Sequence, residues 1–411
     1  MMLTDPEPFP ATLRPPAEEH PRDPDPAAHP PRRHRSAAGR RPTGGLHRGP
    51  EPAAPGPGRG GRTVTAAPGA ASRAAARRPE TLLVMDRETL RTQFGEAEWA
   101  RLRATASLGE PAAAHELASS AVRRRLAEAE VLVTSWGCPP LDGRVLSAAP
   151  RLRAVLHAAG SVRHHVGDAV FDRGLLVTTA AGANAEPVAR YTLAAILWAF
   201  KKAPFLAADA RRFRADWSYR DRHGELSGED RTVALVGFSR IGRRVAHLLT
   251  GLGLARVLVV DPVVGPDEIR RAGAEPVTLD QALPRADVLS LHAPSLPRTR
   301  HLIGAAELAA LPPGAVLVNT ARGALVDTAA LERACTEREL YAILDVTDPE
   351  PLPAASPLYD LPNVMITPHV AGSLGSETRR MAAAALEELE RYAAGLPPRD
   401  PVTRQTLEVQ A

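Results

Sequence analysis

Thr232-Val-Ala-Leu-Val-Gly-Phe-Ser-Arg-Ile-Gly-Arg-Arg-Val-Ala-His-Leu-Leu-Thr250 is the stretch on which the reading of this chain turns. Its apolar, β-branched start at 233–236 has the look of a strand buried on both faces. Gly237 permits a sharp turn, and Ile241, Val245, Leu248 and Leu249 then recur at helical spacing. A second apolar run at 257–260 ends in Asp261, about twenty residues past the turn. Strand, glycine turn, helix, strand and terminal carboxylate describe a dinucleotide-binding βαβ unit. The unpaired N–H groups and positive dipole end of such a helix suit a pyrophosphate, held along Gly237, Ser239, Arg240, Ile241 and Gly242. Asp261 would accept hydrogen bonds from the adenosine ribose and repel a 2′-phosphate, which favours NAD over NADP. Ser239 stands where the fingerprint has its second glycine; serine is small enough for the backbone to approach the phosphates, with some loss of affinity.

The chain has 411 residues, enough for two domains with sizeable cores. Lysine occurs only at Lys201 and Lys202, so nearly all of the 51 basic residues are arginine. With the abundant Ala, Pro and Gly, that points to a coding bias and not to a nucleic-acid binder. Cys138 and Cys335 are far apart and lack metal-ligand spacing, so no metal is expected and a reducing cytoplasm is the simple reading. No apolar segment in the first eighty residues resembles a secretory signal, and the most apolar stretch, 191–200, is too short to cross a bilayer.

Residues 1–79 are rich in Pro, Ala, Gly and Arg and lack apolar periodicity, so a disordered extension is expected there. They hold 13 arginines against 7 acidic residues, which leaves the rest of a chain of net charge +4 slightly negative. The alkaline balance therefore belongs to the extension, whose other reading is an electrostatic tether to an acidic partner. Strand-like runs follow at 81–86, 131–135, 154–157 and 175–179, with a helical segment expected over 113–130. A long buried helix is expected over 186–205, then a polar loop over 216–230. Beyond Asp261, strands are expected at 286–292, 315–319, 341–346 and 364–367, and helices at 305–311, 328–337 and 376–394. The last of these is expected to return to the first domain.

Three polar residues stand at strand ends in the second half: Arg322, Glu350 and His369. Open α/β sheets bind ligands at the carboxyl ends of their strands, which favours all three. Arginine pairs bidentately with a carboxylate, and a histidine oriented by a glutamate suits general acid/base work near neutral pH. Singly, each could be structural: a surface ion pair, a loop charge, a strand-end histidine bonded to backbone. Together, behind a nucleotide fold, they form a set suited to hydride transfer.

The blocks around Gly237, Arg322, Glu350 and His369 resemble, in order and spacing, those of the D-isomer-specific 2-hydroxyacid dehydrogenases, and the similarity runs over roughly 80–400. The resemblance implies an α/β chain of two Rossmann-like domains. One is a discontinuous, flavodoxin-like substrate domain over 80–185, completed by 375–411; the other is an NAD domain over 186–374. It implies a homodimer acting on a small 2-oxo or 2-hydroxy acid, with Arg322, Glu350 and His369 catalytic. It also places His292, Ala293 and Pro294 with Thr320 and Ala321 beside the nicotinamide, Asp345 on the carboxamide, and Ala159, Gly160 and Ser161 on the substrate carboxylate. Arg190 departs from the family, which has an acidic residue there; the substrate loop, with His164 and His165 as ordinary loop residues, matches no particular subfamily. Trp136 and Cys138 are candidates for the pocket lining, and Trp136 could equally sit in the core. Competing readings are a phosphite- or formate-type dehydrogenase and a non-catalytic, NAD-sensing corepressor-like protein; the Glu350–His369 pair disfavours formate chemistry.

Overall fold

The computed structural model describes residues 77–409, so nearly all of the extension expected over 1–79 lies outside the described residues. The described chain forms two all-parallel sheets. The first holds β1 (Glu80–Val84), β2 (Ser107–Ala114), β3 (Val131–Thr134), β4 (Ala154–His157) and β5 (Leu176–Thr179), in the spatial order β2-β1-β3-β4-β5. That is the flavodoxin-like order, and the central strands are buried at every position, as parallel strands covered on both faces must be.

The second sheet holds β6 (Arg231–Val236), β7 (Ala255–Val260), β8 (Glu275–Pro276), β9 (Val288–Leu291), β10 (Val316–Asn319), β11 (Tyr341–Leu344) and β12 (Val364–Ile366). Its order, β12-β11-β10-β9-β6-β7-β8, is the doubly wound nucleotide-binding arrangement, with the switch point between β6 and β9. Helix Arg240–Leu252 follows the glycine turn and buries Gly242, Val245, Ala246 and Leu249. Helix Thr378–Ala393 returns to the first sheet, where Ala382, Ala385, Leu386 and Leu389 share a core with Leu83, Val133 and Leu156.

Two sequence expectations give way. The segment 113–130 is not one helix: it begins at the end of β2, and the helix there is Ser120–Glu128. Ser107-Leu-Gly-Glu-Pro-Ala-Ala-Ala114 has no alternation to mark a strand; pairing with β1, interrupted by a register shift, makes it one. The long helix also starts earlier and ends sooner than expected, at Ala181–Phe200. It runs through Pro187 because Ala185, Val188, Ala189 and Ile196 are buried, and it stops where Lys202 adopts φ 48° ahead of a second helix, Ala203–Phe213. Among the described residues no helix is long and apolar enough to cross a membrane.

Candidate active site

The register of the second sheet sets Val236, Leu291, Asn319, Leu344 and Ile366 level with one another. The next residue of each strand therefore falls in one row along the carboxyl edge: Gly237, His292, Thr320, Asp345 and Thr367. The row continues the ladder, with His292 N–H donating to Val236 O (2.7 Å), Asp345 N–H to Asn319 O (2.9 Å) and Thr367 N–H to Leu344 O (2.8 Å).

At one end of the row lies the glycine turn. Gly237 has φ 103°, and a Cβ there would come within 2.6 Å of Ala293 N; a Cβ on Gly242 would lie 2.1 Å from Gly237 O. Ser239 has φ −89°, ordinary for any L-residue, so no glycine is needed on backbone grounds, and its side chain makes no cap bond to the helix behind it. The helix N-terminus thus keeps its N–H groups free for an anion, and the turn is fit to hold the pyrophosphate of a dinucleotide. Asp261 has a structural role that the sequence does not suggest. Its carboxylate accepts from Phe238 N (2.6 Å), Val263 N (2.8 Å) and Val264 N (2.9 Å), tying the end of β7 to the glycine turn. Ile241 is half-buried in the first turn of the helix, and the Arg240 guanidinium is paired with Asp400 of the C-terminal segment (2.5 Å).

At the other end, His369 Nδ1 lies 2.7 Å from Glu350 Oε1. His369 has φ 54°, a left-handed conformation uncommon for residues that carry a Cβ. Asp345 over-determines it: its carbonyl accepts from His369 N (2.9 Å), and its buried carboxylate accepts from Val370 N (2.8 Å), Ala371 N (2.9 Å) and Thr367 Oγ1 (2.6 Å). Arg322 follows β10. Burial lowers its pKa and the neighbouring Glu350 carboxylate raises it, so the guanidinium stays charged beside the histidine–glutamate pair. Among the described residues its hydrogen bond is to Ala321 O (2.6 Å). Asn319, missed in the sequence, shapes this loop by donating to Arg322 O (2.9 Å) and accepting from Ala321 N (3.0 Å). Thr320 Oγ1 meets Thr192 Oγ1 (2.7 Å), and Pro294 O accepts from Thr299 Oγ1 (2.6 Å).

The first sheet contributes Ala159, Gly160 and Ser161, at the carboxyl end of β4. Ser135 Oγ and Gln93 Nε2 anchor this loop through Ala158 O (both 3.1 Å), and Ala159 O accepts from Ala180 N (3.0 Å). Asn184, another residue without a sequence signal, joins the two halves. Its Nδ2 lies 3.5 Å from where a Gly160 Cβ would be, and its Oδ1 accepts from Ser373 N (2.9 Å), four residues past His369. The substrate loop and the histidine loop therefore meet on one side chain. Arg190 is paired with Glu186 (2.8 Å), which also reaches Arg244. Cys138 is buried in the first core and Trp136 is 40% exposed, so a core position fits the cysteine and not the tryptophan.

Two buried histidines are held neutral. Burial pushes His157 down to about 3, where Thr134 Oγ1 shares a hydrogen bond with its Nδ1 (2.9 Å). His292 is likewise pushed down to about 3 by burial, with Ser290 Oγ on its Nε2 (3.0 Å). His165, in a turn of the loop after β4, packs its ring 5.2 Å from His157. Between pH 6.5 and 5 the unfolded chain takes up protons on the two neutral rings while the folded chain does not. Stability, complete above about pH 6.5, must therefore fall as pH is lowered toward 3, by up to ~1.4 kcal/mol per pH unit for each ring. Urea midpoints measured across pH 5–6.5 should show this slope, and His157→Gln should reduce it; midpoints independent of pH would refute it. Among the described residues no three His, Cys, Asp or Glu side chains gather to hold a metal.

Residues 193–371 match the profile of the D-isomer specific 2-hydroxyacid dehydrogenase, NAD binding domain. The glyoxylate reductase of Aeropyrum pernix is 35% identical over 277 residues, 66% of this chain and 82% of that one. The D-3-phosphoglycerate dehydrogenase of Mycobacterium bovis is 38% identical over 257 residues, 62% of this chain and 48% of that one, so the match spans about half that relative's length. Among solved structures, the TT0316 protein of Thermus thermophilus superposes with a TM-score of 0.63 at 33% identity, over 79% of this chain and 100% of that one. The matched domain is an NAD-binding one, and the glycine cradle beside Asp261 fits that cofactor. Sheet order, the glycine turn and these relatives agree, and the chain belongs to the D-isomer-specific 2-hydroxyacid dehydrogenase family.

Proposed function

We propose that the chain is an NAD-dependent oxidoreductase interconverting a small 2-oxo acid and its 2-hydroxy acid. The observation that carries this reading is the hydrogen-bonded His369–Glu350 pair beside a half-buried, charged Arg322, at the sheet edge that also carries the glycine turn. Gly237, Ser239, Ile241 and Gly242 would hold the pyrophosphate, and Thr320, Ala321, His292, Ala293, Pro294 and Asp345 would surround the nicotinamide. The bound nicotinamide supplies or takes the hydride. Arg322 binds the substrate carboxylate together with the backbone N–H groups of Gly160 and Ser161. His369 donates a proton to the carbonyl oxygen, or removes one from the hydroxyl in the reverse direction, while Glu350 stabilises the imidazolium. Arg322 and His369⁺ both oppose the charge that develops on that oxygen. His292, kept neutral by burial, adds no competing cation.

Among the named relatives, a glyoxylate reductase covered over most of its length favours a short 2-oxo acid as substrate. The test is a panel of 2-oxo acids with NADH, glyoxylate and pyruvate among them, run on the parent and on Arg322→Ala. The parent should turn over at least one, and Arg322→Ala should lose about 10²–10³-fold in kcat/KM with a raised KM, as expected for a charge-assisted bidentate pair. NAD binding with no turnover on any acid would favour the corepressor-like reading instead.

A further inference from the structure

The amino end of the second sheet lies at the opposite edge from the catalytic row, and it holds a cavity of about 190 Å3 where β6, β9 and β10 begin. We propose that this cavity is a second small-molecule site, one that takes a small carboxylate bearing a hydrogen-bond donor on the adjacent carbon.

Lys202 carries the argument. It is one of only two lysines in the chain, and its left-handed backbone separates two helices and turns its side chain inward, to 5% exposure. Its Nζ lies 3.9 Å from the centre of the Tyr341 ring. The ring offsets part of the desolvation on one face of the ammonium, but an ammonium has three N–H donors. Among the described residues Lys202 makes no hydrogen bond and no ion pair. Burial lowers its pKa, and the charge of Glu339 raises it.

Of the other polar walls, His223, Arg231 and Asp287 are already committed, while the exposed Glu225 makes no side-chain hydrogen bond or ion pair among the described residues. His223 uses one ring nitrogen on Tyr341 Oη (3.1 Å) and the other on Asp209 (2.8 Å). Arg231 is paired with Asp287 (2.9 Å), whose second oxygen accepts from Thr232 N (2.8 Å). Their charges cancel in place. Glu339 is exposed, and among the described residues its carboxylate has no hydrogen bond or ion pair; what sets it apart from Glu225 is its place opposite the Lys202 ammonium. The two flank Gly314, where a Cβ would sit 3.2 Å from Lys202 Nζ and 3.8 Å from Glu339 Oε1. The glycine leaves that space open. An acceptor for Lys202 and a donor for Glu339, borne on neighbouring atoms, would satisfy both. A 2-hydroxy acid supplies them as carboxylate and hydroxyl, an α-amino acid as carboxylate and ammonium. A plain anion would satisfy the lysine and be repelled by the glutamate. Water alone, at ~30 Å3 per molecule, could also fill the cavity, and the experiment separates that outcome.

Because the chain has two lysines, labelling lysine with 13C at Cε gives the full-length protein two side-chain signals, from exposed Lys201 and buried Lys202. Glycolate and glycine are titrated in turn, with acetate as the probe that lacks a donor. The Lys202 signal should shift saturably with glycolate or glycine while the Lys201 signal stays fixed, and acetate should bind about tenfold more weakly or worse. Which of the two saturates identifies the donor as hydroxyl or ammonium. By calorimetry, Lys202→Met and Glu339→Gln should each abolish binding, and Arg322→Ala, which removes the proposed carboxylate partner of the catalytic site, should retain it. No saturable shift at Lys202 would overturn the site and leave water as the occupant. Acetate binding as tightly as glycine, or binding that survives in Glu339→Gln, would overturn the ligand chemistry.

Discussion

His369→Ala is expected to lower kcat about a thousandfold while changing KM only a few-fold. General acid/base catalysis by a positioned side chain contributes roughly 10²–10⁴-fold, and His369 is positioned at some expense. Its left-handed backbone costs on the order of 1 kcal/mol, and four hydrogen bonds from the Thr367–Ala371 turn to Asp345 hold it there. Because Nδ1 is taken by Glu350, Nε2 would be the nitrogen left for proton exchange with substrate. The substitution removes a half-exposed ring and no core contact, so thermal stability should change little. Glu350→Gln keeps a hydrogen bond to the ring but removes the charge opposite the imidazolium, and should lose about 10–10²-fold in kcat. Steady-state kinetics and NAD binding of the same preparations decide the matter. A His369→Ala protein that binds NAD and turns over within threefold of the parent would remove His369 from the chemistry.

The parts of this site that could be read from sequence are those encoded in short blocks. Strand β6, the glycine turn and Asp261 lie within about thirty residues, and their periodicity switches visibly from strand to helix. Arg322, Glu350 and His369 each follow an apolar run that forms a strand of the second sheet, so their place at the carboxyl edge follows from the topology. What was hidden depends on partners far away in sequence. β2 is a strand because β1 offers it an edge, and nothing in Ser107-Leu-Gly-Glu says so. Asn184 sits in a run of small residues, and its link to Gly160 and Ser373 arises only when the two sheets come together. Asp345 illustrates a third case: the position was legible, but its use as a clamp on the histidine turn was not, since a carboxylate that accepts from backbone leaves no mark on the residues that donate to it.

The second large effect is expected at a residue with no chemistry of its own. In Gly323→Ala the new Cβ would lie 1.9 Å from Thr347 C, 2.0 Å from Thr347 O and 2.5 Å from Asp348 N. Carbon atoms meet comfortably at ~3.5 Å, and here the obstacle is backbone on the far side, so no rotamer change can make room. The loop after β10 and the loop after β11 must part by well over ~1 Å, and they carry Arg322 and Glu350 respectively. Overpacking of this kind destabilises by about 1–3 kcal/mol, occasionally more, and displacement of a catalytic group by ~1 Å can lower the rate about a hundredfold. Gly323→Ala should therefore lower both the melting temperature and kcat/KM, with Arg322 itself still present. Gly251→Ala is the contrasting case: its Cβ would meet nothing within 4 Å, and it lies in helix Arg240–Leu252, so stability should hold or rise. Thermal unfolding and kinetics of the two variants, measured side by side, test whether loop spacing sets the Arg322–Glu350 geometry. A Gly323→Ala enzyme as stable and as active as the parent would show that the two loops separate freely, and the close approach at Gly323 would then have no part in placing the guanidinium beside the glutamate.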